Sequence, residues 1–113
     1  MLIKTALVML GGGVGAVFRY MLSKILISRG FKQYSTFFVN FVGCLLLGIV
    51  LKHSPDIYKQ VIIYGILGGF TTFSAFSYEN IDLIAHEDYI GFLKYTLVSC
   101  CFCVLAISLG ISL

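Results

Sequence analysis

Four long apolar stretches follow one another along the chain, separated by short polar connections. The first, Leu2–Ser28, carries Lys4 near its start and is interrupted by Arg19 and Lys24. The next three, Tyr34–Leu51, Val61–Tyr78 and Tyr95–Leu113, contain no Asp, Glu, Lys or Arg. Helices of this length rise roughly 27 Å, close to the thickness of a bilayer's hydrocarbon core. The pattern predicts an all-α integral membrane protein, one membrane domain over residues 1–113. Its transmembrane helices are expected at about 3–27, 34–51, 61–81 and 91–113, which leaves no room for a soluble domain.

The third stretch departs from a plain helix at Gly68-Gly69-Phe70-Thr71-Thr72-Phe73-Ser74-Ala75-Phe76-Ser77. Paired glycines cost backbone entropy and threonine is stiff at χ1, so a break is expected mid-membrane, near residues 68–74. Irregular backbone at that depth survives only where protein buries it or where it lines a polar cavity. Such a break leaves carbonyls able to hold a cation and aims ring edges into a path. The alternative is a small-residue patch for helix packing.

Composition and charge sharpen this reading. Hydrophobic residues make up 59% of the 113 and charged residues only 12%, where a soluble chain has roughly 25% charged. Lys4 and the apolar Thr5–Phe18 imitate a secretory leader, but Arg19 and three further spans follow, so the segment is expected to remain as the first helix. Four crossings put Lys4, Lys52 and Lys59 on one side, against Lys24, Arg29, Lys32 and Lys94 on the other. That balance gives the positive-inside rule almost nothing to act on. The chain is therefore expected to insert both ways up, which permits an antiparallel, dual-topology homodimer; a single strong charge near the first helix could instead fix one orientation. Cys44, Cys100, Cys101 and Cys103 all fall within apolar spans without metal-site or disulfide spacing and read as small, weakly polar filler. His86, Glu87 and Asp88 read as solvated loop charge rather than a metal site.

Each remaining span offers polar candidates beside a packing explanation. In the first, Gly11 with Gly15 and Gly12 with Ala16 form small-residue faces suited to close helix contact, in a dimer or within the bundle. Arg19 either snorkels to the interface or faces the interior as a positive charge. In the second, Thr36, Asn40, Gly43 and Leu47 share a face, and the Asn40 amide either glues helices or donates to an anion. In the third, Phe70, Phe73 and Phe76 are spaced by three with hydroxyls between them. Their rings either pack or turn positive edges toward a small anion, and Glu79 either sits hydrated at the interface or closes a polar track. In the fourth, Tyr95, Ser99, Cys103, Ala106 and Gly110 line one face, as a packing ridge or as a wall of hydroxyl donors.

Three motifs in order, Gly11-Gly12-Gly13-Val14-Gly15-Ala16-Val17-Phe18-Arg19-Tyr20, Val39-Asn40-Phe41-Val42-Gly43 and Gly68-Gly69-Phe70-Thr71-Thr72-Phe73-Ser74-Ala75-Phe76, closely resemble the Fluc/CrcB family of fluoride ion channels. The resemblance runs the length of the chain. It implies a cell-membrane, multi-pass antiparallel homodimer with two pathways, exporting fluoride passively to relieve its toxicity. It also implies a structural sodium ion (Na+) at the dimer centre, held by backbone carbonyls that fall here on Gly68 and Thr71. The family's pore rings fall on Phe73 and Phe76, its pore amide on Asn40 and its first-helix arginine on Arg19. The hydroxyl track falls on Thr36, Thr72, Tyr95 and Ser99, with Glu79 at one end. Cys44 and Cys103 depart from the pattern, because relatives tend to have Ser after the second-span glycine and a thiol is a weaker donor than a hydroxyl.

The partners implied are fluoride, membrane lipid and a second copy of the chain, with no nucleic acid. The competing class is a small dual-topology multidrug or cation exporter, which needs a carboxylate deep in its first helix; this first span has Arg19 and no acid. A non-conducting scaffold subunit would need only the glycine faces. An enzyme is not expected, since no nucleophile–base pair is evident in the sequence.

Overall fold

A computed structural model describes the backbone of Met1–Leu113 and every side chain except those of Gln33 and Ile57. The helices are α1 (Leu2–Ser28), α2 (Ser35–His53), α3 (Asp56–Gln60), α4 (Gly68–Phe70), α5 (Phe73–Ala85) and α6 (Tyr89–Ser112). A short 3-10 turn, Lys32–Tyr34, leads into α2, and a π-helical stretch, Val61–Leu67, joins α3 to α4. Four helical segments are long and apolar enough to cross a membrane: α1, α2, the composite third crossing Tyr58–Ala85, and α6. No strand occurs among the described residues. The molecule is 47 Å long and 28 by 26 Å across, so its long axis covers about the full depth of a bilayer with its headgroups.

These sequences are helical despite α1's glycines because a backbone in hydrocarbon has to satisfy its own hydrogen bonds. The glycines then set how close the helices come. α1 packs along the first half of the third crossing. Gly11 lies against the backbone of Gly65 and Ile66, and a Cβ at Gly15 would collide with the Ile66 carbonyl. Gly69 meets the Gly12 backbone in the same way. The small-residue faces of α1 are thus engaged within the subunit. α2 and α6 run alongside each other, with Gly48 against Ile107 and Gly110, and the Phe37 ring edge-on to Phe102 at 5.9 Å. Helices in lipid associate by such close packing, not by hydrophobic exclusion.

The core is small. Among the described residues, Val39, Leu67, Phe70 and Ala106 form it, while Leu93, Leu97, Val104 and Leu105 stand exposed along α6. In a soluble protein that distribution would be untenable; in a bilayer the acyl chains cover it.

The interruption of the third crossing falls within 68–74 but is not made by the glycines. Gly68 and Gly69 are helical, and the chain turns extended at Thr71 (φ −82°, ψ 156°) and Thr72 (φ −145°, ψ 112°). The glycines serve close approach, as Gly69 does on Gly12, whereas the β-branched threonines take the extended backbone that suits them. The wide π-helical turns of Val61–Leu67 precede the break and carry Gly65 and Leu67 inward.

Candidate functional site

The break is pinned from α2. The Thr72 N–H donates to Asn40 Oδ1 at 2.8 Å, and Asn40 Nδ2 donates back to the Thr72 carbonyl at 3.0 Å. Both ends of the amide engage one residue, so Asn40 supplies the acceptor that the Thr72 N–H lacks at the break and adds a second donor to the Thr72 carbonyl. Next to it, Gly43 seats the break: a Cβ there would strike Thr71 Cγ2 and crowd the Phe70 ring. The new helix then starts on Thr72, whose Oγ1 accepts from the Ala75 N–H at 3.2 Å as an N-cap and lies 3.2 Å from Ser74 Oγ. Thr71 Oγ1 donates back to the Leu67 carbonyl at 3.0 Å.

This arrangement bears on the two carbonyls singled out for a cation. In an unbroken helix the Gly68 carbonyl would accept from Thr72 N–H and the Thr71 carbonyl from Ala75 N–H. Here those donors turn to Asn40 and to Thr72 Oγ1. Gly68 is exposed and Thr71 half-buried. Two backbone oxygens without their helical donors are suitable ligands for a hard cation such as sodium. Among the described residues, no group of three or more His, Cys, Asp or Glu could hold a metal.

About two turns beyond Thr72, Glu79 gathers two hydroxyls from different helices. Thr36 Oγ1 of α2 donates to its Oε1 at 2.5 Å, and the Tyr95 hydroxyl of α6 donates to its Oε2. α5 is thereby tied to both neighbours through one carboxyl group. The Phe76 ring stacks at a tilt between Phe73 (5.7 Å) and Tyr95 (5.1 Å). Phe76 is half-buried, while Phe73 is 78% exposed and projects from the subunit.

A cavity of about 320 Å³ lies along this seam, with Asn40, Thr71, Thr72, Phe73, Phe76 and Ser99 in its wall. It brings together most of the residues expected to line an anion pathway. Their donors are not equally free. The hydroxyl protons of Thr36 and Tyr95 are committed to Glu79, and that of Thr71 to Leu67. Ser99 Oγ is buried without a partner, and one of Asn40's two N–H bonds remains unspent. A second cavity of about 250 Å³ is lined by Arg19, Thr36, Thr72 and Ala75. Arg19 is half-buried and borders it, with its Nε buried and unpartnered. Thr72 borders both cavities.

Asn80 escapes sequence reading. It is buried one residue beyond Glu79, and its Oδ1 lies 3.5 Å from Thr96 Oγ1 of α6. It sits in the more polar end of the third crossing, between Glu79 and Asp82, where nothing in the pattern separates a buried amide from a solvated one.

Residues 6–111 match the family described as CrcB-like protein, Camphor Resistance (CrcB). The chain is 36% identical over 112 residues to the fluoride-specific ion channel FluC of Phocaeicola vulgatus, covering 93% of each. It is 36% identical over 106 residues to the protein of that name from Methanococcus aeolicus, covering 89% of this chain and 86% of the relative. Against the one from Flavobacterium psychrophilum it is 41% identical over 99 residues, 78% of each.

Proposed function

The chain belongs to the CrcB family, and from that premise we propose that it is a fluoride-selective channel letting cytoplasmic fluoride leave the cell passively. It is a multi-pass membrane protein by its four crossings and its family, and a passive conduit performs no catalysis. The observation that carries the reading is the interrupted third crossing, pinned by Asn40 and opening on a cavity walled by Phe73, Phe76 and Ser99.

Fluoride is small and strongly hydrated, so a path must replace its water with donors that bind well yet release quickly. The free Asn40 N–H, the Ser99 hydroxyl and the positive edges of Phe73 and Phe76 meet that need without a fixed charge that would trap the ion. Thr36 and Tyr95 join the track only by releasing Glu79, so in this reading Glu79 stores two hydroxyl donors beside the path. Arg19 adds a positive charge next to Thr72 that favours an anion nearby.

In this reading two copies pair antiparallel, with two pathways per dimer. The Gly68 and Thr71 carbonyls of both copies surround a structural sodium ion, which supplies a fixed positive charge at the pairing surface. Sodium-free buffer should then lower the thermal unfolding temperature of the purified protein; identical melting with N-methylglucamine in place of sodium would remove the cation from the proposal.

Reconstituted in liposomes loaded with both halides, the protein should release fluoride and retain chloride, read with ion-selective electrodes. Equal release of the two, or of neither, would overturn the reading.

A further inference from the structure

Beside the polar wall of the larger cavity stands a sulfur wall that fluoride passage does not need. Cys44 of α2 and Cys103 of α6 both line it, and each stands one turn before the residues, Gly48 and Ile107, at which the two helix backbones meet. The close approach of Gly48 to Gly110 brings these two helices together, so residues facing that seam are held at short range. Cys100, one turn before Cys103, also borders the cavity but is exposed, and Cys101 is exposed on another face of α6. All four are free thiols.

We propose that Cys44 and Cys103 form a two-coordinate site for a soft d10 cation, and that its occupation arrests conduction. Thiolate sulfur selects soft cations over hard ones, and a d10 ion of the mercuric or silver kind accepts two thiolates in a line. Two ligands are therefore enough, which suits a place where no larger cluster of metal-ligating side chains occurs among the described residues. The step is a plain exchange: two S–H bonds break, two S–metal bonds form, both protons leave to water, and nothing is oxidised. The bound ion stands in the same cavity as Asn40, Phe76 and Ser99, narrowing it and cross-linking α2 to α6. The arrest rests on the channel reading; the metal site does not.

The test uses mercuric ion alone on the full-length chain carrying C100S and C101S. One equivalent per subunit should make both remaining thiols unreactive toward a colorimetric thiol reagent. It should also slow fluoride efflux from liposomes by about tenfold or more, equivalent to at least about 1.4 kcal/mol of added barrier. A dithiol chelator should reverse both effects. Adding C44S or C103S should raise the half-blocking concentration about 100-fold, the loss expected when one of two ligands goes. C44A and C103A serve as second versions should a serine variant fold poorly, with each compared to its own untreated rate. Thiols that titrate independently, or a block in the C44S and C103S variants as strong as in the parent chain, would overturn the site. Full binding with unimpeded fluoride flux would overturn the arrest. An untreated chain that passes no fluoride would sink the channel reading and the arrest together, while the thiol titration still decides the metal site.

Discussion

Asn40 illustrates how one side chain can hold a fold and border a path at once. Its oxygen accepts from the Thr72 N–H while its nitrogen donates to the Thr72 carbonyl, which leaves one N–H to face the cavity. Asn40→Asp keeps the acceptor but sets a second oxygen against the Thr72 carbonyl and adds negative charge to an anion's route. An unpartnered buried polar group costs about 1–3 kcal/mol, so the unfolding temperature should fall measurably. Fluoride efflux should drop by about tenfold or more, the effect of roughly 1.4 kcal/mol on a barrier. Flux equal to wild type would exclude Asn40 from the pathway. The sequence marks Asn40 as a buried amide but leaves its partner open, since Thr72 lies 32 residues away and is reached through its backbone. Ser99 is different: helical spacing puts it on the small-residue face of α6, and its unpartnered hydroxyl is visible only once the helices are packed.

The third crossing combines three devices, of which the pattern exposes one. The break near Thr71–Thr72 is legible because glycines and threonines inside an apolar span disagree with a regular helix. The division of labour is not, since a helical glycine used for close contact and a glycine used for a turn read alike in one dimension. The π-helical stretch Val61–Leu67 is illegible for a similar reason: its Ile, Val and Leu would fit an α-helix equally well, and only packing against α1 distinguishes the two. The same close-packing logic applies to α2 and α6. A side chain at Gly48 would run into the Ile107 carbonyl and the Gly110 backbone, neither of which can yield without moving the helix. Gly48→Leu should therefore destabilise the fold by about 1–3 kcal/mol or more, as overpacking does. It should also part α2 from α6, along the seam that holds the cavity. Retained melting temperature together with retained flux would show that this seam is looser than the structure has it. Gly13 faces open space, with nothing within 4 Å of where a Cβ would stand, so it should tolerate Ala at little cost and serves as the control.

At the scale of the whole molecule, the distribution of charge decides how many ways the chain can sit. Four crossings set Lys4, Lys52 and Lys59 toward one side, and Lys24, Arg29 and Lys32 around the first connection with Lys94 near the third toward the other. With four basic residues facing three, neither orientation has a clear advantage under the positive-inside rule. The Phe73 ring and Gly68 stand exposed on the single subunit, available to the antiparallel pairing proposed above. Insertion in both directions is the condition for such pairing, so it is the property to measure. A single reporter, Tyr58→Cys in a chain whose four native cysteines are serine, sits at the exposed end of the third crossing. In intact cells an impermeant thiol reagent should label about half of the copies, with the rest reacting only after permeabilisation, as near-equal insertion requires. Labelling of all copies, or of none, before permeabilisation would show a single orientation, and an antiparallel pair could not then form in the membrane.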